Sequence, residues 1–197
     1  TLSPSSFDLV ISSPPYCNRY DYTRTYALEL VFLGAGEEKI KDLRQSMLSC
    51  TVENRNKKEY LKNLYKKDNF EEIEDVFYSV HALQEVLDIL KVYRDEKKLN
   101  NSYIYRMVKN YFYEHCFAIF EFHRLLKDGG IVYYVNDNVR YAGEVVPVDL
   151  ILTEIADNFG FGEMKILKLA NGKGNSSQQM KTHGRTELRK SICYWKK

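Results

Sequence analysis

Phe7-Asp8-Leu9-Val10-Ile11-Ser12-Ser13-Pro14-Pro15-Tyr16 is the stretch on which the fold turns. A short apolar run over residues 7–13, closed by two prolines, reads as a buried β-strand rather than a helix. Pro14 and Pro15 fix their own φ and carry no N–H. The turn after the strand is therefore stiff and poor in donors, while the carbonyls of Ser13 and Pro14 remain as acceptors. In open α/β sheets ligands sit beyond the carboxyl ends of strands, which is where this turn falls. Such a turn suits a substrate that presents an NH₂ group, and Tyr16 adds a flat face for an unstacked base. Ser-Pro-Pro-Tyr is elsewhere an ordinary turn or a polyproline segment. Its place after a hydrophobic strand argues against the polyproline reading.

Outward from this stretch, Tyr26–Leu33 has helical composition and is stopped by Gly34 and Gly36. Residues 37–102 contain neither Pro nor Gly, are rich in Lys and Glu, and predict helices with polar breaks. Within them Arg55, Lys57, Lys58, Lys62, Lys66 and Lys67 oppose only Glu59, and an acidic run from Asp68 to Asp75 follows. That alternation fits a solvated helical hairpin better than a nucleic-acid footprint. Val76–Tyr93 reads as one amphipathic helix, with Val80, Leu83, Val86, Leu87 and Leu90 on its apolar face. Tyr103–Lys127 is a second long helical pattern. It ends in Asp128-Gly129-Gly130 and gives way at once to the strand Ile131–Val135, the order of an α/β unit. Val148–Asn158 predicts a further helix, and Met164–Leu169 and Ser191–Trp195 predict two closing strands. The segment between these, Asn171–Ser177, is too polar and Gly-rich to pack.

The chain has 197 residues, 44% hydrophobic and 28% charged, enough for one substantial core and unlike a disordered composition. No apolar run approaches the ~18 residues that cross a bilayer, so membrane association is not expected. The net charge is +2, which points to no class of partner. Cys17, Cys50, Cys116 and Cys193 stand singly, a pattern that suits a reducing cytoplasm. His81, His115 and His123 lie in predicted helices without Cys or carboxylate partners at ligand spacing; packing is the expectation, and no metal. The chain starts with Thr1 and runs into a core strand within a few residues, like the middle of a longer polypeptide.

The stretch from Phe7 to Tyr16 resembles the catalytic motif of the amino-methyltransferases of nucleic acids, in which Asp, Asn or Ser precedes Pro-Pro-Tyr after such a strand. The Ser version is most often that of DNA cytosine-N4 methyltransferases. Leu125–Val132 is similar to that family's helix, Gly turn and strand, and Asn136-Asp137-Asn138 to the polar end of the strand. His183-Gly184-Arg185-Thr186, ahead of the final strand, also has a counterpart there. The resemblance implies the catalytic half of a Rossmann-like class I methyltransferase sheet with a terminal antiparallel hairpin. Residues 1–34 and 115–197 would form it, with a helical insertion over 35–114. It implies S-adenosylmethionine as cofactor, with Ser13, Pro14, Pro15 and Tyr16 catalytic and Ser12, Ser13 and Pro14 lining part of the cofactor pocket.

Two Arg and two Tyr among Asn18, Arg19, Tyr20, Tyr22 and Arg24 suit phosphate and base contacts, as do His183 and Arg185; Tyr20 and Tyr22 equally suit a core cap. Cys17 reads as packing rather than nucleophile. No glycine-rich turn follows a strand: Gly34-Ala35-Gly36 ends a helix and Gly172-Lys173-Gly174 lies between strands. Most of a cofactor pocket is thus expected elsewhere, in the same polypeptide or a partner subunit. Three functions stay open. The leading one is methylation of DNA at cytosine N4, or adenine N6. The others are methylation of a guanine exocyclic amine in RNA, and a non-catalytic binding module.

Overall fold

A computed structural model describes residues 2–170, 184 and 187–197. The chain opens with β1 (Phe7–Ser12), then α1 (Tyr22–Thr25), α2 (Ala27–Phe32), α3 (Glu37–Ser46), α4 (Lys58–Leu64), α5 (Lys67–Ser79), α6 (His81–Asp95) and α7 (Ile104–Leu125). It continues through β2 (Leu126–Asp137), the short strands β3 (Val139–Tyr141) and β4 (Glu144–Val146), α8 (Val148–Asn158), β5 (Glu163–Lys168) and β6 (Lys190–Lys196). This is an α/β fold with a mixed sheet in the order β1-β2-β6-β5. β1 and β2 run parallel, while β6 is antiparallel to both β2 and β5. The two closing strands therefore form the expected antiparallel pair. The Gly-rich segment between them lies outside the described residues.

Alternation along β2 and β6 decides which face is buried. Val132 and Tyr134 face the same side as Cys193 and Trp195, and all four are buried in one core with α7 and α8. The opposite face carries Tyr133 and Tyr194, half-buried and in edge contact at 5.5 Å. Phe70, Ile73 and Phe77 of α5 and Leu83, Leu87 and Leu90 of α6 enter the same core, so the helical stretch is not a separate body. A buried latch ties it down: Glu114 of α7 accepts from the Ser49 hydroxyl at 2.5 Å, the Ser49 amide at 2.8 Å and the Lys57 ammonium at 2.8 Å. The boundary expected between residues 114 and 115 falls inside α7.

The glycine turn after α7 is built into β2. Phe7 pairs with Leu126 and Leu9 with Ile131, so the Lys127–Gly130 segment bulges from the ladder. Gly129 has φ +78°, and a Cβ on Gly130 would lie 2.8 Å from the Lys127 carbonyl oxygen. Two expectations are corrected. The single helix over Val76–Tyr93 is two helices, because the chain is extended at Val80, with ψ 100°. Tertiary partners supply what the break removes: the His81 amide donates to Glu154 Oε1 at 3.0 Å, and the Gln84 side chain to the Phe77 carbonyl at 2.7 Å. The other is the burial of β1, which is an edge strand with Phe7, Leu9 and Ile11 exposed; the helix expected over Tyr26–Leu33 is found as α2, after the turn α1 that Asp21 caps. Among the described residues no helix is long and apolar enough to cross a membrane.

Candidate active site

β1 delivers Ser13-Pro14-Pro15-Tyr16 to the carboxyl end of the sheet, beside the end of β2. Pro14 is buried, Pro15 and Tyr16 are half-buried and Ser13 is exposed, so the turn is anchored by its prolines and open at its polar end. The hydroxyls of Ser13 and Tyr16 share a hydrogen bond of 3.2 Å, which orients the ring across the turn. Behind it, the Asn18 amide donates to the Tyr16 carbonyl at 2.7 Å, and the Asn18 side chain accepts from the Tyr20 amide at 3.1 Å. This tight return leaves Arg19 at φ +68°, a conformation unfavourable for a residue with a Cβ.

The loop is pinned from three sides. The Tyr141 hydroxyl donates to the Cys17 carbonyl at 2.5 Å. The Cys50 thiol donates to the Tyr20 carbonyl at 3.3 Å. Asp21 Oδ1 accepts from the Thr23 and Arg24 amides at 3.0 and 3.3 Å, and Oδ2 faces Arg44 Nε at 3.1 Å. Cys17 itself is wholly buried, which pushes its thiol pKa well above the ordinary value. Burial pushes Cys50 up to about 12. Neither is a ready nucleophile.

Over the Tyr16 ring lies the Lys190 ammonium, 5.5 Å from its centroid. Lys190 opens β6 opposite Asp137, the last residue of β2, and its Nζ is 3.9 Å from Asp137 Oδ1. Asn136 is fully buried; its amide donates to the Tyr111 hydroxyl at 2.8 Å and its oxygen accepts from the Asp137 amide at 2.9 Å. The polar end of β2 is thus held rigidly next to the turn. Further along, Arg189 grips the buried Asp149 of α8 through two bonds of 2.6 and 2.8 Å, and the Ser191 hydroxyl adds a third at 2.8 Å. Burial works to raise the Asp149 pKa, but these bonds outweigh it and hold the carboxyl below its usual range.

Comparison with known proteins gives the turn its context. The chain is 50% identical over its whole length to the type II methyltransferase M.BsoBI of Geobacillus stearothermophilus, of which it spans 39%. It is 53% identical over 97% of its length to the type II methyltransferase M.AvaI of Nostoc sp. and of Anabaena variabilis, spanning 38% of each. The chain is thus similar throughout to part of these type II methyltransferases and spans under two-fifths of their length. No family model and no solved structure matches it.

The residues expected to act divide by position. Ser12 to Tyr16 are contiguous at the strand end. Asn18, Arg19, Tyr20, Tyr22 and Arg24 follow in one loop, with Tyr20 and Tyr22 in edge contact at 4.9 Å. Both arginines of that group are engaged by other side chains: Arg19 Nη1 donates to Asn100 Oδ1 at 3.2 Å, and Arg24 is paired with Glu53 at 2.8 Å and Asp21 at 3.3 Å. His183 and Arg185 lie outside the described residues. Sequence reasoning gave neither Lys190 nor Tyr141 a place at the turn, which both reach from positions far along the chain. No local pattern marks either; the pairing of β6 with β2 and the Ala142-Gly143 turn between β3 and β4 bring them in.

Two of the histidines pack: His123 stands edge-on to Phe161 at 5.2 Å and His115 lies in the core, whereas His81 is exposed at the start of α6. His115 is fully buried, its Nδ1 2.7 Å from the Tyr111 carbonyl, so the proton is assigned there and Nε2 is left without a partner. Burial lowers its pKa to about 4. Among the described residues no group of His, Cys, Asp and Glu is arranged to hold a metal.

Proposed function

We propose that this chain is the catalytic part of a DNA amino-methyltransferase that transfers a methyl group from S-adenosylmethionine to the exocyclic amine of a flipped base. Cytosine N4 is preferred over adenine N6. The observation that carries the reading is the Ser13–Tyr16 turn, stiff and acceptor-rich at the carboxyl end of β1, in a chain half identical to type II methyltransferases. Those relatives also favour a DNA enzyme over an RNA enzyme or a binding remnant.

The target base would stack on Tyr16, with its NH₂ donating to Ser13 and to the Pro14 carbonyl. An aryl amine is a poor nucleophile because its lone pair is delocalised into the ring. Two acceptors on its N–H groups favour a pyramidal nitrogen with the lone pair free. S-adenosylmethionine supplies an electrophilic methyl carbon on a sulfonium. The amine nitrogen, held by Ser13 and Pro14 with its lone pair free, would be the methyl acceptor, and a neutral thioether would be the leaving group. The positive charge that develops on nitrogen lies against the fixed carbonyl dipoles of the turn, and one of its protons is then lost to solvent. The buried Cys17 takes no part.

The residues present fit only part of the cofactor. Ser12, Ser13 and Pro14 sit where the cofactor must approach, but no glycine-rich turn follows a strand among the described residues. β1 is an edge strand whose Phe7, Leu9 and Ile11 are 41, 47 and 70% exposed, unusual for a strand of this composition. Leu28, Val31 and Phe32 of α2 and Leu33 after it form a second exposed apolar surface. Since the chain spans under two-fifths of its relatives, we assign these surfaces to the cofactor-binding half, in the same polypeptide or a partner subunit.

Nucleoside mass spectrometry of DNA and RNA treated with the intact gene product tests the reading. N4-methylcytosine in DNA is the expected product. N6-methyladenine would change the base, modified RNA the polymer, and no product at all would overturn the assignment.

A further inference from the structure

Ser13 and Pro14 accept hydrogen bonds, and acceptors alone do not tell one aryl amine from another. The two prolines have removed the donors that could read ring acceptors, so any such donor must come from outside the turn. Lys190 is placed to be that donor. Its ammonium is held closely by neither neighbour: it lies 5.5 Å from the Tyr16 ring centroid and, at 3.9 Å from Asp137 Oδ1, at the outer limit of an ion pair. That Oδ1 atom is buried without a hydrogen-bond partner, and burial raises the Asp137 pKa while Lys190 lowers it.

The side chain therefore has two stations. A base stacking on Tyr16 needs the face that the ammonium covers. A shift of about 1 Å toward Asp137 would free that face and close a charge-assisted bond of ordinary length. From there the remaining Nζ protons point along the edge of the base. With its amine anchored on the turn, cytosine presents a ring nitrogen and then a ring carbonyl, both acceptors; adenine presents a ring nitrogen and then a C–H.

Resting on the amino-methyltransferase reading above, we propose that Lys190, steadied by Asp137, donates to the ring carbonyl of the target cytosine and thereby selects cytosine over adenine. The role is recognition. It lowers the KM for the DNA more than it raises kcat, because the carbonyl is present before and during methyl transfer.

The test uses the intact enzyme and two duplexes carrying its recognition site. One holds the target cytosine. The other holds a 2-aminopyridine C-nucleoside, which keeps the amine and the adjacent ring nitrogen but has a C–H in place of the carbonyl. The native enzyme should favour cytosine by about tenfold or more in kcat/KM. Lys190→Met should lose about that factor on cytosine, mainly through KM, and lose little on the analogue, so that discrimination collapses. Lys190→Arg, which keeps a donor, should recover part of it. Equal losses on both duplexes would mean that Lys190 only supports Tyr16, and would overturn the proposal. The product separates the two levels. N4-methylcytosine with discrimination intact in Lys190→Met sinks the role of Lys190 alone, whereas N6-methyladenine sinks the cytosine reading with it.

Discussion

Tyr16 and Cys17 are adjacent in sequence and opposite in character. Tyr16 keeps a ring face and a hydroxyl at the site, while Cys17 is wholly buried and its thiol is held protonated. Tyr16→Ala in the complete enzyme is expected to lower kcat/KM by about a hundredfold, through lost stacking and lost orientation of Ser13. Cys17→Ala is expected to leave turnover within a few-fold. Single-turnover methylation assays separate the two, and equal losses would contradict the assignment. His115 gives a second residue-scale expectation. Its folded pKa, lowered to about 4 from an ordinary value near 6.5, means that the unfolded chain takes up the proton first as pH falls. The stabilisation is complete above about pH 6.5 and is lost progressively down to pH 4, up to about 3 kcal/mol. Denaturant midpoints across this range should fall steeply in the native protein and less in His115→Gln.

At the scale of elements, two attachments hold the site and its surroundings. The β3–β4 hairpin brings the Tyr141 hydroxyl onto the Cys17 carbonyl, one residue after the turn. Tyr141→Phe leaves that buried carbonyl unsatisfied and is expected to cost about tenfold in kcat with little change in protein fold by circular dichroism. The Ser49–Glu114–Lys57 latch is the second. Lys57→Met strands a buried carboxylate and should destabilise the protein by about 3 kcal/mol in chemical denaturation; Glu114→Gln should cost less.

The strand β1 and the closing strands were readable in the sequence because prolines, glycines and short-range periodicity write them locally, but the exposure of β1 and the bulge that Gly129-Gly130 forms inside β2 depend on strand pairing. The break at Val80 was not readable either, since Val80 falls in register with the apolar face and its interruption depends on Glu154, far along the chain. Tyr141 and Lys190 escaped for the same reason: strand pairing, not spacing, carries them to the turn. The basic run over 55–67 was read as a solvated hairpin, and Lys57 departs from that: its ammonium is largely buried against Glu114, while the more exposed Lys58 pairs with Glu74.

On the scale of the whole molecule, the sheet has one helix-covered face and one bare flank. Near-neutral charge leaves no broad electrostatic field for nucleic acid, so any grip on DNA is local to the site or belongs to the remaining part. On the function proposed above, the chain alone is expected to bind S-adenosylmethionine only weakly, because Ser12, Ser13 and Pro14 would line only one side of the pocket. Isothermal calorimetry that gave a micromolar Kd would contradict this.

The bare flank has another consequence. An uncovered strand that offers its backbone on one side is a template for any other strand. Along β1 the charged guard is Asp8, and it is already paired with Lys127 at 2.9 Å. Two copies whose β1 edges meet would therefore be expected to pair along Phe7–Ile11 into a dimer, which whatever covers this edge would prevent.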